Sequence, residues 1–305
     1  MVHFLQSQAW AEFQESLGRT VIYKSGDGWS YMAILEKGRF NTRLYCPYGP
    51  QIDTKKALAP ALESLKQLGR DHRVTFVRVE PVGTVSADQL LQQQFKKVTY
   101  LQLQPEHTQV IDLQRPEEEI VAEMNANIRN IYHNYAKKGM TIHRSDQPED
   151  IAILTGFMHN VAARNHMTPH SDNYFKQQTK VLLGNGAGKI FYVTTDDDTP
   201  MAAAYIYDDG ETRYYAHAAA DDTYRKLRPG SALVAYLIID AKCQGLKQFD
   251  LYGIAPTDDP SHPWAGFSRF KKTFGGAPKA YIGAWDFPLR SVQYYLYRLY
   301  QKLTR

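Results

Sequence analysis

Cysteine is scarce in this sequence. Cys46 and Cys243 are its only two, far apart and each set in an apolar pattern. That excludes a disulfide framework and reads as two buried thiols of a reducing compartment. Long apolar runs are also missing. The longest, SALVAYLIIDA, falls well short of the roughly 18–20 residues that span a bilayer. The opening MVHFLQSQAW has no basic stretch followed by an apolar core, so no signal peptide is expected and the protein is expected in the cytoplasm. Charge of one sign is not in large excess. A net +4 permits an anionic partner without demanding one. There is no G-x-S-x-G, no Walker loop and no C-x-x-C, which removes the common nucleophile-elbow, P-loop and dithiol chemistries.

What remains is a globular composition, 43% hydrophobic and 22% charged, of a length that fits two domains or one large one. Tyrosine is abundant at 21 residues, but many lie in strand-like runs and belong to a core. The first hundred residues pattern as mixed α/β. Strands are expected at 20–24, 29–38 and 43–50, then a helix over 54–69 with Thr54 and Gly69 as caps. A strand over 73–81, a short helix near 86–94 and a strand near 97–103 follow. PEHTQ at 105–109 reads as a polar hinge, and VIDL at 110–113 as a strand. A single long helix is expected from Pro116 to Lys138, acidic at its start and closed by Gly139. The second half repeats the plan. Helices at 148–165 and 171–183 precede strands at 189–195, 201–209 and 212–220. A helix at 231–244 and a strand at 247–254 come next, then a helix from 264 and a last strand at 279–286. The tail, 291–305, is a basic aromatic amphipathic helix that either packs on the first domain or touches a membrane surface. The expected domains are 1–108 with 287–305, and 109–286.

Three stretches carry candidate chemistry. In WAGFSRFKKTFGG (264–276), helical phase groups Trp264, Phe267 and Phe274, with Phe270 at the edge of that face. Lys271 falls among them, whereas Arg269 and Lys272 turn away. Lys271 either lays its stem along the aromatics to reach water or serves as a positioned cation that stabilises developing negative charge. In YRKLRPGSALVAYL (224–237), Arg225, Lys226 and Arg228 precede Gly230, a Ser231 N-cap and a helix, a geometry suited to an anion. It half-matches the acyl-CoA loop of GNAT-type acyltransferases, with Leu227 departing and Gly230 and Ala232 fitting. Glu80, at the end of the strand in VRVEP, is placed to enter a cleft or to be a solvated strand end. His159, His166 and His170 match no metal-ligand spacing, and no metal is expected.

Taken together, SQAWAEFQ, FVRVEP, the 110–142 segment, NHMTPHSDNYF, the 214–254 segment and PWAGFSRFKKTFGGAPKAYIGAWD resemble the FemABX aminoacyltransferases. The resemblance covers most of the chain in order. It implies an α/β protein of two tandem GNAT-like acyltransferase domains with mixed sheets, in the armless form without a coiled coil. It implies transfer of an amino acid from aminoacyl-tRNA, a co-substrate and not a cofactor, to a peptidoglycan precursor, either lipid II or UDP-MurNAc-pentapeptide. By residue, it gives Lys271 and Phe270 a catalytic place, and Glu80 and Tyr174 a place at the acceptor. A phosphate-binding lysine of the family falls at Gln14, its arginine partner at His170 and a substrate-facing tyrosine at His217; Tyr215, on the same strand, is added to the substrate contacts. Two of these changes remove fixed positive charge and favour lipid II or another amine over a soluble nucleotide-linked acceptor. Arg225, Lys226, Arg228, Arg269 and Lys272 would form a basic surface for the tRNA acceptor stem. The protein is expected to act as a monomer, with peripheral contact at the inner face of the membrane. Two other readings stay open, an acyl-CoA N-acyltransferase and a non-catalytic tRNA- or precursor-binding protein.

Overall fold

The computed structural model describes residues 3–38, 41–165 and 170–303. The chain forms two compact units, 1–106 with 280–305, and 107–279. Residues 280–286 thus fall in the first unit.

The first unit runs α1 (Gln8–Ser16), β1 (Thr20–Gly26), β2 (Trp29–Lys37), β3 (Thr42–Cys46), β4 (Gln51–Ile52), α2 (Leu58–Asp71), β5 (Phe76–Val79), α3 (Ala87–Gln92) and β6 (Lys96–Lys97). The second runs β7 (His107–Asp112), α4 (Glu117–Glu123), α5 (Ala126–Asn134), β8 (Thr141–Ser145), α6 (Ile151–Asn165), α7 (Asp172–Gly184), β9 (Gly188–Thr194), β10 (Pro200–Asp208) and β11 (Thr212–Ala220). It continues through α8 (Pro229–Cys243), β12 (Gln248–Gly253), α9 (Ala265–Lys272) and β13 (Ala277–Ala280). The chain then returns to the first unit as β14 (Trp285–Pro288) and α10 (Ser291–Leu303). One sheet has the order β1-β2-β3-β5-β14-β6, with β4 beside β2; the other has the order β13-β7-β12-β11-β10-β9-β8. Each is antiparallel apart from one parallel pair, β3 with β5 and β11 with β12, joined by a helical crossover.

Each crossover helix is the centre of its core. In α2, Leu58, Leu62 and Leu65 recur at helical spacing and pack on Leu44, Val77 and Val79. In α8, Leu233, Leu237 and Ile238 are buried against Ala202, Ala204, Phe249 and Leu251. This helix is apolar nearly all round, as a helix with little solvent face must be. A buried ion pair closes the first unit. Arg78 of β5 donates from Nε and Nη2 to both oxygens of Asp286 in β14, at 2.7 and 2.8 Å, and Tyr294 of α10 donates to the same carboxylate.

Several sequence expectations are corrected. The helix expected from Pro116 to Lys138 is two, because Asn125 leaves helical geometry and caps the next turn, accepting from Ile128 N. Thr54 makes no capping bond and Gly69 lies inside α2, pressed against Val77 and Leu289 where no side chain fits. Pro60 is tolerated because it falls in the first turn, where amides have no partner within the helix. The run 279–286 is not one strand; it breaks between β13 and β14, which belong to different sheets. Strands β5 and β6 are far shorter than 73–81 and 97–103, β7 begins inside the expected hinge, and β8 was not anticipated. Cys46 is buried, but Cys243 is exposed at the end of α8.

Candidate active site

The second unit carries an opening at its parallel strand pair. β11 and β12 are in register for only three positions, Thr212 with Gln248, Arg213 with Phe249 and Tyr214 with Asp250. Beyond them β11 continues to Ala220 while β12 turns aside. The turn has a local cause. The Asp250 carboxylate accepts from Tyr252 N at 2.7 Å and from the Thr108 hydroxyl, and Tyr252 adopts a left-handed backbone with φ 62°. A non-glycine residue in that region is strained and must be held by its surroundings. The register against β7 shifts at the same place. The separated strands border a cleft of about 620 Å³ lined by Tyr215, Ala218, Ala220 and Tyr252, by Arg225, Arg228 and Gly230, and by Phe270 and Lys271.

Lys271 enters this cleft from α9. Its ammonium donates to the Gly253 carbonyl at 2.7 Å. Burial lowers its pKa to about 8, with the Asp250 carboxylate acting in the opposite sense. The lysine therefore carries a charge at neutral pH but holds it weakly. Phe270 packs edge-on against the buried Phe274, while Phe267 stays half exposed at the rim. The expected separation of Lys271 from its neighbours holds. Arg269 and Lys272 border a different hollow, with Asn125 and Asp258, and Lys272 is paired with Asp258. The five-cation surface read from the sequence is thus divided. Arg225 and Arg228 line the cleft with Lys271, Lys226 is exposed outside its lining, and Arg269 and Lys272 lie elsewhere. Ser231 is not the N-cap of α8. The helix starts earlier, at Pro229, and Arg228 takes the cap position with φ 56°.

A second group of expected residues forms a ring cluster. His170 stacks on Tyr174 with centroids 4.1 Å apart, and Phe175 meets His217 edge-on at 5.0 Å. His217 Nε2 is 2.9 Å from the Tyr207 hydroxyl. Burial, with His170 nearby, lowers the His217 pKa to about 3, so its imidazole is neutral. Tyr215, on the same strand, belongs to the cleft and packs against Phe249. His159 pairs with Asp172 at 3.0 Å, His166 lies outside the described residues, and no metal-holding cluster occurs among the described residues.

In the first unit, Glu80 is buried at the end of β5 and is no solvated strand end. Tyr45 donates to it at 2.6 Å, and burial raises its pKa to about 7 against the pull of Tyr45, Arg78 and Arg43. Gln14 is buried in α1, and its side-chain oxygen accepts from Arg19 at 2.6 Å. Sequence reasoning missed Asp250, Thr108 and Tyr252. The one available signal was a lone carboxylate in the apolar strand FDLYG, just before a glycine.

This fold has known relatives. Residues 186–302 match the model of the FemAB family. The crystal structure of FemX aligns with a TM-score of 0.84 at 18% identity, covering 96% of this chain and 94% of that one. L-PGS from Bacillus licheniformis aligns at 0.60 and 15% identity, covering 95% of each chain. A tandem GNAT protein from the clavulanic acid biosynthesis pathway aligns at 0.55 and 13%, covering 88% of this chain and 83% of that one. No curated relative matches in sequence. The duplicated sheets and the splayed strands with their basic loop make up a tandem GNAT-like fold. Residues 186–302 are thus similar in sequence to the FemAB family, and nearly the whole chain shares the fold of FemX.

Proposed function

We propose that this protein is an aminoacyltransferase of peptidoglycan bridge formation, taking its amino acid from aminoacyl-tRNA and giving it to an amine of a cell-wall precursor. The observation that carries this reading is the convergence of Lys271, Phe270, Arg225 and Arg228 on one cleft. An aminoacyl ester is already activated, so the enzyme's task is positioning and charge stabilisation. The acceptor amine attacks the ester carbonyl, and the carbonyl oxygen becomes an oxyanion that the Lys271 ammonium stabilises. As the C–O bond to the ribose breaks, the ribose oxygen takes the proton that the amine loses. Arg225 and Arg228 suit the phosphates of the tRNA end, and the Tyr174–His170 stack, His217 and Glu80 are proposed as acceptor contacts. Gln14 and His170 supply no fixed positive charge, which favours a lipid-linked acceptor. The test is transfer of radiolabelled amino acid from a pool of charged tRNAs. Transfer to lipid II is the expected result, and none to lipid II or to UDP-MurNAc-pentapeptide overturns the proposal.

One observation favours a second reading. A splayed strand pair followed by a glycine-bearing basic loop and a helix start also suits the pyrophosphate of an acyl-CoA. Saturable CoA binding in calorimetry, without tRNA binding, would support it.

A further inference from the structure

Helix α10 shows two apolar faces, and only one is used. Tyr294 and Tyr297 are buried against Phe76. Opposite them, Val292 is 74% exposed, Leu296 61%, Leu299 54% and Leu303 77%. At 100° per residue these four fall within an arc of about 60°, a continuous ridge along the helix. Tyr295 borders the ridge on one side and Tyr300 on the other, each close to half exposed. No carboxylate occurs from Phe287 to Leu303, whereas Arg290, Arg298 and Lys302 are cations. Lys96 joins them, its ammonium donating to the Tyr295 hydroxyl at 2.7 Å. An apolar patch of this continuity on a water-facing helix marks an interaction surface.

We propose that α10 docks this protein on an anionic lipid bilayer. The Val292–Leu296–Leu299–Leu303 ridge enters the acyl boundary, Tyr295 and Tyr300 sit at headgroup level, and Lys96 and Lys302 meet the lipid phosphates. The helix has thirteen residues, and no helix among the described residues is long and apolar enough to cross a membrane, so α10 lies along the surface. Charge decides against a second copy as the occupant. A two-fold contact would set the patch against itself, cation facing cation, with no carboxylate on the helix to pair them. The inference stands on α10 and its neighbours and does not require the proposed transfer reaction.

The test is co-sedimentation of the full chain with phosphatidylcholine vesicles, with and without phosphatidylglycerol, in the absence of any substrate. Binding is expected to the phosphatidylglycerol vesicles and should weaken with salt. The double substitution Leu296→Gln/Leu299→Gln should bind at least about tenfold more weakly, since two large apolar groups leave the acyl boundary. Lys302→Glu should bind a few-fold more weakly while leaving the ridge intact. Both variants alter exposed positions, and an unchanged thermal midpoint verifies their fold; if the double variant fails to fold, Lys302→Glu carries the test. Wild-type protein that ignores anionic vesicles, or variants that bind as well as wild type, would overturn the proposal. A concentration-dependent dimer abolished by the double substitution, without sedimentation, would overturn it in favour of a second copy.

Discussion

The two units use the same device, a parallel strand pair joined by a buried helix, and finish it differently. In the first unit β3 and β5 stay paired through four positions, from Arg43 with Phe76 to Cys46 with Val79. The pairing is then sealed, because Glu80 N donates to the carbonyls of Cys46 and Gly49, and the Gln6 side chain bonds Met32 and Pro47. In the second unit the pair separates after three positions and leaves a cleft. The difference lies in where the carboxylate falls. Glu80 stands just past the end of β5 and accepts from a tyrosine hydroxyl, whereas Asp250 lies within β12, captures the backbone of Tyr252 and turns its strand away. A duplicated architecture thus supplies one closed copy and one open copy, and the cleft with Lys271 is in the open one.

The largest expected effect breaks the closed copy. Asp286→Ala leaves Arg78 charged and buried without its partner, and should cost about 3–5 kcal/mol. Urea unfolding would show this as an early loss of the first unit. In the second unit Arg213 has two carboxylates, Asp208 and Asp240, so Asp240→Ala should cost markedly less. Next comes the open copy. Lys271→Ala should lower transfer roughly 10²–10³-fold, the scale of one oxyanion-stabilising donor, with little change in stability. The wild-type rate should fall as pH rises through about 8, where the Lys271 ammonium loses its proton, and Lys271→Arg should lose that alkaline limb.

A third test sharpens the contrast between the carboxylates. The Glu80 pKa is raised by burial from 4.5 to about 7, so the folded state binds a proton that the unfolded state releases. The stability linked to that proton is present in full below about 4.5 and is lost as pH climbs to 7. Glu80→Gln keeps an acceptor for Tyr45 and should therefore be more stable than wild type at pH 8, by up to about 3 kcal/mol. The two should converge at pH 4 in thermal melts. The smallest effect is expected from Lys272→Ala. Its ion pair with Asp258 is exposed, and transfer should stay within about twofold of wild type. A large loss there would erase the distinction between adjacent lysines.

Much of this was legible beforehand. Helical phase alone separated Lys271 from Lys272, because a 3.6-residue period assigns faces without reference to the rest of the fold. Strand and helix order in the second half followed from alternation and helical periodicity. What escaped depended on distant partners. Asn125 donates its backbone amide to the Thr273 carbonyl, and that contact, with its own side-chain cap, breaks a helix whose periodicity runs on unbroken. The run 279–286 looked like one strand because nothing local shows that its two ends belong to different sheets. The cleft itself was illegible, since the splay of β12 rests on Asp250 meeting Thr108, 142 residues away.

The discontinuous first unit has a consequence for synthesis. Arg78 is translated 208 residues before Asp286, the carboxylate that it pairs with in the core. As the chain leaves the ribosome, β3, α2 and β5 are available early, but the Arg78 guanidinium stays without Asp286 until 208 further residues have been made. The second unit, contiguous from 107 to 279, meets no such delay. The first unit therefore needs residues on both sides of the second, and a chain interrupted at 279 would hold a complete cleft but an unfinished first unit.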